Sequence, residues 1–289
     1  MNKGHQMDEQ RITIYTPDSS LIHPLKMAHE MFSDLADSRE LAWRLTVRDL
    51  SAQYRQTFLG FLWAIILPLA NTLVWIFLSH SGVVNVSETA LPYPVYVFTG
   101  TMLWAILMEA MNAPLQTVNA SKSMLAKIKF PREALLVAGI YQTLVNASIK
   151  TALLLIALVV MGIHPGWGLL LFPLGMLSLI LVGTVVGLAL TPVGLLYTDV
   201  GKAVPLLMQF LMYLTPVVFA MPKQGLPATV FQLNPLTPLI LTARDWLTGM
   251  SPEYMNYFVV VNAIAFVLLF MFWIVFRLAM PILIERMGS

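Results

Sequence analysis

Two ionisable side chains, Glu109 and Lys150, occur in stretches that are otherwise apolar enough to cross a membrane. Such residues are costly at that depth and usually face a cavity, a path or a partner charge. They predict contact with hydroxyl or phosphate groups of a ligand, unless Lys150 extends to the outer surface. At 1.5 Å rise per residue, the backbones of Glu109 and Lys150 are expected to differ in membrane depth by about 10 Å. A direct ion pair is therefore expected only if the helices tilt or the side chains reach.

A basic amphipathic helix over residues 39–58 precedes the first apolar stretch. Arg44, Arg48 and Arg55 lie together on the helical wheel, which predicts that the helix lies in the membrane surface. Arginine binds phosphate through paired hydrogen bonds, so these three residues and Tyr54 are candidates for holding an anionic headgroup. The alternative ligand is ordinary anionic lipid. The adjacent apolar stripe is Trp43, Val47, Leu50, Tyr54 and Phe58.

The composition predicts an all-α integral membrane protein. The chain is 58% hydrophobic and 11% charged, with a mean hydropathy of +0.75, and an average soluble chain carries about twice that charge. The first forty residues contain no apolar core of a secretory signal. The absence of cysteine excludes disulfides, thiolate metal ligands and a cysteine nucleophile. No metal-spaced cluster or Ser/His/Asp arrangement is visible, so neither a metal site nor a catalytic site is expected.

Six membrane spans are expected from the lengths of the apolar stretches. They are residues 59–80, 93–118, 133–160, 169–195, 203–221 and 257–278. Pro205 and Pro216 interrupt the fifth span, where kinks are the simplest expectation. The small-residue pattern Gly183 to Gly187 in the fourth predicts close helix packing within the subunit.

The basic residues predict the orientation. Fourteen of the 17 lie before the first span, in the loops after the second and fourth spans, or at the C-terminus from Arg277 onward. By the positive-inside rule both termini are cytoplasmic. The expected organisation is a cytoplasmic segment 1–38, the interface helix 39–58, a membrane domain 59–280 and a cytoplasmic tail 281–289.

Two segments outside the spans have unusual composition. Residues 225–250 are apolar in two pieces around Asn234-Pro235, which predicts either a re-entrant helical hairpin or an amphipathic surface hairpin. Residues 119–131 are basic with apolar residues at helical spacing, which favours a short helix that docks on a partner over a solvated loop.

Aromatic residues near the span ends have two interpretations. Rings at the membrane interfaces usually form belts, whereas a sugar-binding path uses aromatic faces for stacking. The candidates for such a path are Trp63, Trp104, Tyr141, Phe210 and Tyr213.

Several motifs occur in a specific order. They are Arg48-Asp49, Tyr54-Arg55, Leu59-Gly60, Trp63, Pro68, Phe130-Pro131-Arg132-Glu133 and Asn234-Pro235. Together they resemble the membrane (permease) subunit of type-2 ABC exporters of lipid-linked polysaccharides, a family that includes O-antigen, capsule and teichoic-acid exporters. The resemblance covers nearly all of residues 39–280. The family more often has arginine where Thr198 stands, so no salt bridge is expected at that turn.

The resemblance implies a homodimer in the bacterial inner membrane, with a periplasmic re-entrant hairpin before the last span and a translocation path between the copies. It implies a lipid-linked polysaccharide substrate, most simply O-antigen, whose pyrophosphate would meet the arginines of the interface helix. Each copy would bind a nucleotide-binding ATPase subunit through the coupling helix. The coupling residues would be Lys122, Met124, Leu125, Lys127, Ile128, Phe130, Pro131 and Arg132.

The chain lacks the phosphate-binding loop G-x-x-x-x-G-K-[ST], and Gly201-Lys202 is its nearest approach. ATP and magnesium are therefore expected on a partner subunit, with no cofactor here and no nucleic-acid partner. The alternatives are a type-2 exporter of a drug or lipid and a membrane-embedded glycan-processing enzyme. The enzyme would require paired carboxylates, which the expected outer loops do not contain.

Overall fold

The computed structural model describes residues 24–55, 62–82, 89–125, 131–222 and 224–288, and every regular element in these ranges is helical. The helices are α1 Pro24–Asp37, α2 Arg39–Arg55, α3 Trp63–His80, α4 Tyr93–Ala120, α5 Lys122–Leu125, α6 Glu133–Val160, α7 Phe172–Leu196, α8 Val200–Tyr213, α9 Gly225–Leu233, α10 Leu236–Thr248 and α11 Met255–Gly288. A 3-10 turn, Trp167–Leu170, precedes α7. The all-α prediction is confirmed for these residues.

Four of the described helices are long and apolar enough to cross a membrane: α4, α6, α7 and residues Met255–Leu283 of α11. Residues Ile65–His80 of α3 and helix α8 are apolar but shorter. The expected bounds 93–118 and 133–160 agree with α4 and α6 to within two residues.

The expected fifth span, 203–221, is not one helix. Helix α8 begins at Val200, contains Pro205 and ends at Tyr213. Residues 214–219 then form a turn, called here the 214–219 turn, and only the N–H groups of Leu214 and Thr215 still donate back to carbonyls of α8. Pro216 lies inside it, and proline has no N–H to continue a helical ladder.

Helix α4 packs most extensively against α7, and the two helices run parallel. A Cβ built on Gly183 would lie 2.6 Å from Ala110 Cβ, and one built on Gly187 would collide with the Met111 carbonyl oxygen. Both glycines therefore allow close backbone approach. The prediction that this small-residue pattern serves packing within the subunit is confirmed.

The buried apolar residues form two cores, one toward each end of the bundle. The basic-end core combines α1, α2 and α5 with the neighbouring parts of α4, α6, α7 and α11. The hairpin-end core combines α10 and the 214–219 turn with the opposite parts of α4, α6, α7 and α11. We use "basic end" and "hairpin end" for these two ends of the molecule.

Both chain ends contain more helix than expected. Helix α1 lies within the segment 1–38, where none was predicted; its Met31 is buried, and Phe32 makes an edge contact with Trp273 at 5.6 Å. Helix α11 continues to Gly288, through the expected tail 281–289. Residues 56–58 of the expected interface helix lie outside the described residues.

Candidate functional site

Glu109 of α4 and Lys150 of α6 form an ion pair between two membrane-length helices. Lys150 Nζ lies 2.7 Å from Glu109 Oε1, and the side chains are 12% and 34% exposed respectively. Lys150 therefore does not extend to an outer surface. The pair joins α4 to α6, and the Glu109 side chain as a whole is only partly covered.

The Glu109–Lys150 contact meets the condition expected from the sequence, because the two side chains reach across the difference in depth of their backbones. In a helix each Cα–Cβ bond tilts toward the helix N-terminus. Helix α4 runs toward the basic end and α6 runs away from it. Glu109 therefore leans toward the hairpin end and Lys150 toward the basic end, and two long side chains close the gap.

Two buried oxygens at or beside the ion pair have no hydrogen-bond donor among the described residues. Glu109 Oε2 and Asn146 Oδ1 have no hydrogen-bond partner among the described residues. Asn146 is 8% exposed and lies one helical turn before Lys150 on α6. Buried acceptors are normally paired, because an unpaired one retains its full desolvation penalty. The polar contact between α4 and α6 is thus incomplete within the described part of the chain.

A second charge, Arg244 of α10, is buried, and each of its three guanidinium nitrogens donates one hydrogen bond. Arg244 is 1% exposed. Its Nη1 donates to the Pro216 carbonyl (2.9 Å), its Nη2 to the Val217 carbonyl (3.0 Å) and its Nε to Thr99 Oγ1 (3.2 Å). The guanidinium carbon also lies 3.8 Å from the ring centre of Tyr96, a cation–π contact.

The Arg244 site ties the 214–219 turn to α4 and α10. Tyr96 Oη donates to the carbonyls of Pro216 (3.1 Å) and Phe219 (3.0 Å). Asn234, between α9 and α10, donates to the Leu214 carbonyl (3.0 Å). These side chains replace the hydrogen bonds that the turn lost when α8 ended, as buried non-helical backbone requires.

The arginines of α2 have different partners. Arg44 is exposed and pairs with Glu40 at 2.7 Å. Arg48 pairs with Asp49 at 2.7 Å and donates to Ser121 Oγ at 3.2 Å, which fastens α2 to the end of α4. The side chains of Tyr54 and Arg55 lie outside the described residues.

Helix α2 packs through a face next to its predicted apolar stripe. Ala42, Leu45 and Thr46 are buried, and Thr46 Oγ1 donates to the Ala138 carbonyl of α6 at 3.1 Å. Trp43 and Val47 of the stripe stay exposed. An exposed apolar stripe beside arginines suits contact with a membrane surface.

The expected coupling segment is only partly described. Lys127, Ile128 and Phe130 lie outside the described residues. Lys122 and Pro131 are exposed, whereas Leu125 is 8% exposed in the basic-end core and Met124 packs against that core. Arg132 is half-buried. Leu125 therefore packs within this chain, contrary to the expectation that it is free to dock on a partner.

Some of the aromatic candidates are exposed, and the others pack against residues of the same chain. Trp63 and Phe210 are 41% and 63% exposed. Trp104 is buried in the hairpin-end core, so it does not line a path in this arrangement. Tyr213 packs edge-on against Trp75 at 5.9 Å, and Tyr141 packs edge-on against Trp43 at 6.2 Å.

The comparisons with known proteins identify the family. Residues 40–247 match the ABC-2 type transporter family. The chain belongs to this family. The assignment confirms the resemblance drawn from the motifs and makes the chain a membrane subunit of a transporter rather than an enzyme.

Three similar proteins are named for export or transport of polysaccharides. The chain is 24% identical to the O-antigen export system permease protein RfbA of Myxococcus xanthus, over 72% of this chain and 80% of that protein. It is 23% identical to the protein of the same name from Klebsiella pneumoniae, over 73% and 81% of the two chains. It is also 23% identical to the polysialic acid transport protein KpsM of Escherichia coli, over 76% and 85%.

Three polar residues of this ABC-2 transporter chain were not singled out by sequence reasoning. Arg244 was counted as a loop charge, although its position in an apolar helix after Asn234-Pro235 was a usable signal. Asn146 lies four residues before Lys150, a spacing that puts both on one helix face. Arg277 was used only for orientation, yet it pairs with buried Glu133 at 2.6 Å and with Asp34 at 2.8 Å.

Proposed function

We propose that this chain is the permease subunit of an ATP-driven exporter that moves a lipid-linked polysaccharide, in the leading case O-antigen, across the bacterial cytoplasmic membrane. The observation that carries the proposal is the set of relatives: proteins named for export of O-antigen or polysialic acid align with 72% to 76% of this chain.

In the proposed topology α3, α4, α6, α7, α8 and α11 are the six spans, and both termini are cytoplasmic. The concentration of lysine and arginine at the basic end supports this orientation. The α9–α10 hairpin would then enter the membrane from the periplasmic side. The burial of eleven residues of α10 against the rest of the chain supports a hairpin inside the bundle rather than on its surface.

We propose further that two copies form one path and that each binds a separate ATPase subunit carrying ATP and magnesium. The ATPase contact would be the coupling segment, for which Lys122 and Pro131 are exposed at the basic end. The undescribed residues Lys127, Ile128 and Phe130 complete this proposed contact.

The substrate headgroup would meet the membrane-facing side of α2. Arg44 and Arg55 remain the proposed phosphate ligands, with Tyr54 beside them. Arg48 is already held by Asp49 and Ser121, which supports a positioning role for it. The proposed path contacts are the Glu109–Lys150 pair and the exposed rings of Trp63 and Phe210.

A second candidate is export of an acidic capsule-type polymer. The similarity to the polysialic acid transport protein supports it, since the share of the chain covered and the identity are close to those of the O-antigen relatives.

The test is deletion of the gene in its own host, followed by complementation with the wild-type chain. Surface glycan is measured by immunoblotting and sugar analysis, and proteins that co-purify with the chain are identified. The proposal predicts loss of one surface glycan, its return on complementation, and recovery of an ATPase subunit. Unchanged surface glycan after deletion would overturn the export proposal.

The coupling segment is tested by Lys122→Glu, because Lys122 is exposed and its replacement leaves the core intact. Repulsion between the new carboxylate and the partner should lower recovery of the ATPase subunit about tenfold. The matched control is Lys202→Glu, the same charge change at an exposed position of α8. Equal recovery of the ATPase subunit with both variants would show that the coupling segment is not part of the contact.

A further inference from the structure

Helix α4 carries a polar stripe on its exposed side. Glu109, Asn112 and Gln116 are spaced i, i+3 and i+7, which places them on one helical face. Asn112 is half-buried and Gln116 is exposed. A polar stripe on a helix of membrane-crossing length faces a wet cavity or a partner group rather than lipid.

Helix α6 carries a matching stripe. Gln142, Asn146 and Lys150 are spaced i, i+4 and i+8. The register with α4 is fixed at two points: a Cβ on Gly139 would meet Thr117 of α4, and Lys150 meets Glu109. Between these points the stripe of α6 runs alongside that of α4.

We call these residues the polar seam. Its six members are Glu109, Asn112, Gln116, Gln142, Asn146 and Lys150. The seam extends from the ion pair toward the basic end over about 10 Å, from the helical rise between Glu109 and Gln116.

Two acceptors of the seam lack a hydrogen-bond donor, although its amides and Lys150 carry N–H groups of their own. Glu109 Oε2 and Asn146 Oδ1 are buried acceptors without partners among the described residues. The Asn112 amide nitrogen donates to the Met108 carbonyl of its own helix at 2.8 Å, so it does not serve either acceptor. A ligand that completes the seam must donate hydrogen bonds.

The charge of the seam identifies the class of ligand. Glu109 and Lys150 neutralise each other at 2.7 Å, and the other four members are uncharged amides. A phosphate or carboxylate ligand would compete with Glu109 for Lys150, and a cation would compete with Lys150. A neutral hydroxyl donates to the open oxygens and accepts from the remaining amide hydrogens without such competition.

We propose that the polar seam binds the hydroxyl groups of an uncharged stretch of glycan during its passage through the membrane. Glu109 Oε2 and Asn146 Oδ1, both buried in this arrangement, become accessible when α4 and α6 part around the glycan and then accept hydrogen bonds from the sugar, while Lys150 holds the Glu109 carboxylate in position. This inference rests on the proposed export function and separates two tasks: the seam contacts neutral sugar, and phosphate recognition belongs to α2.

The test variant is Asn146→Leu, a change of similar volume that removes one open acceptor. Because that acceptor has no partner among the residues that the structure describes, the variant should melt at the same temperature as the wild type or higher. Export per assembled complex should fall about fivefold, the effect of one hydrogen bond of about 1 kcal/mol. The matched control is Ser148→Leu, an exposed residue on the opposite face of α6, which should export normally.

The outcomes separate this inference from the proposed function. If the wild-type chain fails to restore surface glycan in the deletion strain, the export proposal itself fails. If the wild type restores export and Asn146→Leu exports equally well, the seam inference is wrong while the export proposal stands. A lower melting temperature for Asn146→Leu, with export reduced only in proportion to the folded protein, would assign Asn146 to packing and also overturn the inference.

Discussion

The Arg244 site and the Glu109–Lys150 pair are two ways to hold charge among membrane helices. Arg244 is 1% exposed, and each of its three guanidinium nitrogens donates to an acceptor within the chain. Glu109 is 34% exposed, and one of its oxygens has no donor among the described residues.

The difference separates a structural site from a binding site. A buried charge whose hydrogen bonds are all made within the chain holds elements together, and here it fastens the 214–219 turn to α4 and α10. A charge pair that leaves acceptors open carries a desolvation penalty that only an added donor relieves. Stability should therefore depend mainly on Arg244, and export mainly on the polar seam.

The largest expected effect is on stability at Arg244. Arg244→Met should lower the free energy of unfolding by about 3–4 kcal/mol, because the Val217 carbonyl loses its donor and a cavity remains. Thermal unfolding of the purified protein in detergent measures this. Arg244→Lys keeps the charge but not the three-way geometry, so it should lower the free energy of unfolding by less than Arg244→Met does. A loss below about 1 kcal/mol for Arg244→Met would contradict the structural role.

The next effect is steric and concerns Gly100. A Cβ on Gly100 would collide with the Val217 carbonyl oxygen and with Arg244 Nη2. Gly100→Ala should therefore lower the free energy of unfolding by about 2 kcal/mol, as overpacking does. The control is Gly201→Ala, where the added methyl meets no atom within 4 Å and helix propensity alone should raise stability slightly. Equal melting temperatures for both variants would mean that the site tolerates displacement.

A smaller loss of stability is expected at Lys150. Lys150→Met leaves the Glu109 carboxylate without its cation, which should cost about 1–2 kcal/mol because water reaches the partly exposed carboxylate. The double variant Glu109→Gln with Lys150→Met should recover most of that stability but not export. If the double variant also recovered export, the Glu109–Lys150 pair would contribute to stability alone and not to export.

The smallest effect is expected at Tyr96. Tyr96→Phe removes the hydroxyl that donates to the Pro216 and Phe219 carbonyls but keeps the ring beneath Arg244. The free energy of unfolding should fall by about 1 kcal/mol, the usual net value of a hydrogen bond. A loss as large as that of Arg244→Met would mean that the hydroxyl, not the guanidinium, supports the turn.

The sequence predicts what bilayer thickness and hydropathy determine. The bounds of α4 and α6 follow from apolar length, and the motifs around Arg48, Pro131 and Asn234 indicated the family. The sequence also singled out Glu109 and Lys150 as residues, but the lean of their side chains decided whether they meet.

What the sequence left out depends on tertiary contacts. Whether Arg244 belongs to an exposed loop or a buried site depends on where α10 packs, and counting charges by loop hides that. The burial of Leu125 and Trp104 likewise depends on neighbours distant in sequence. Helix α1 was missed because its few apolar residues pack against α6 and α11, which are distant in sequence.

The most direct test compares the chemical accessibility of the two sites. The chain has no cysteine, so each variant carries one thiol, and only a hydrated thiol ionises and reacts quickly with a membrane-impermeant methanethiosulfonate reagent. We predict fast labelling of Asn112→Cys in the polar seam and no labelling of Thr99→Cys at the Arg244 site in membrane vesicles open to both sides. Equal rates at the two positions, or an unreactive Asn112→Cys, would contradict the distinction between an open binding site and a closed structural one.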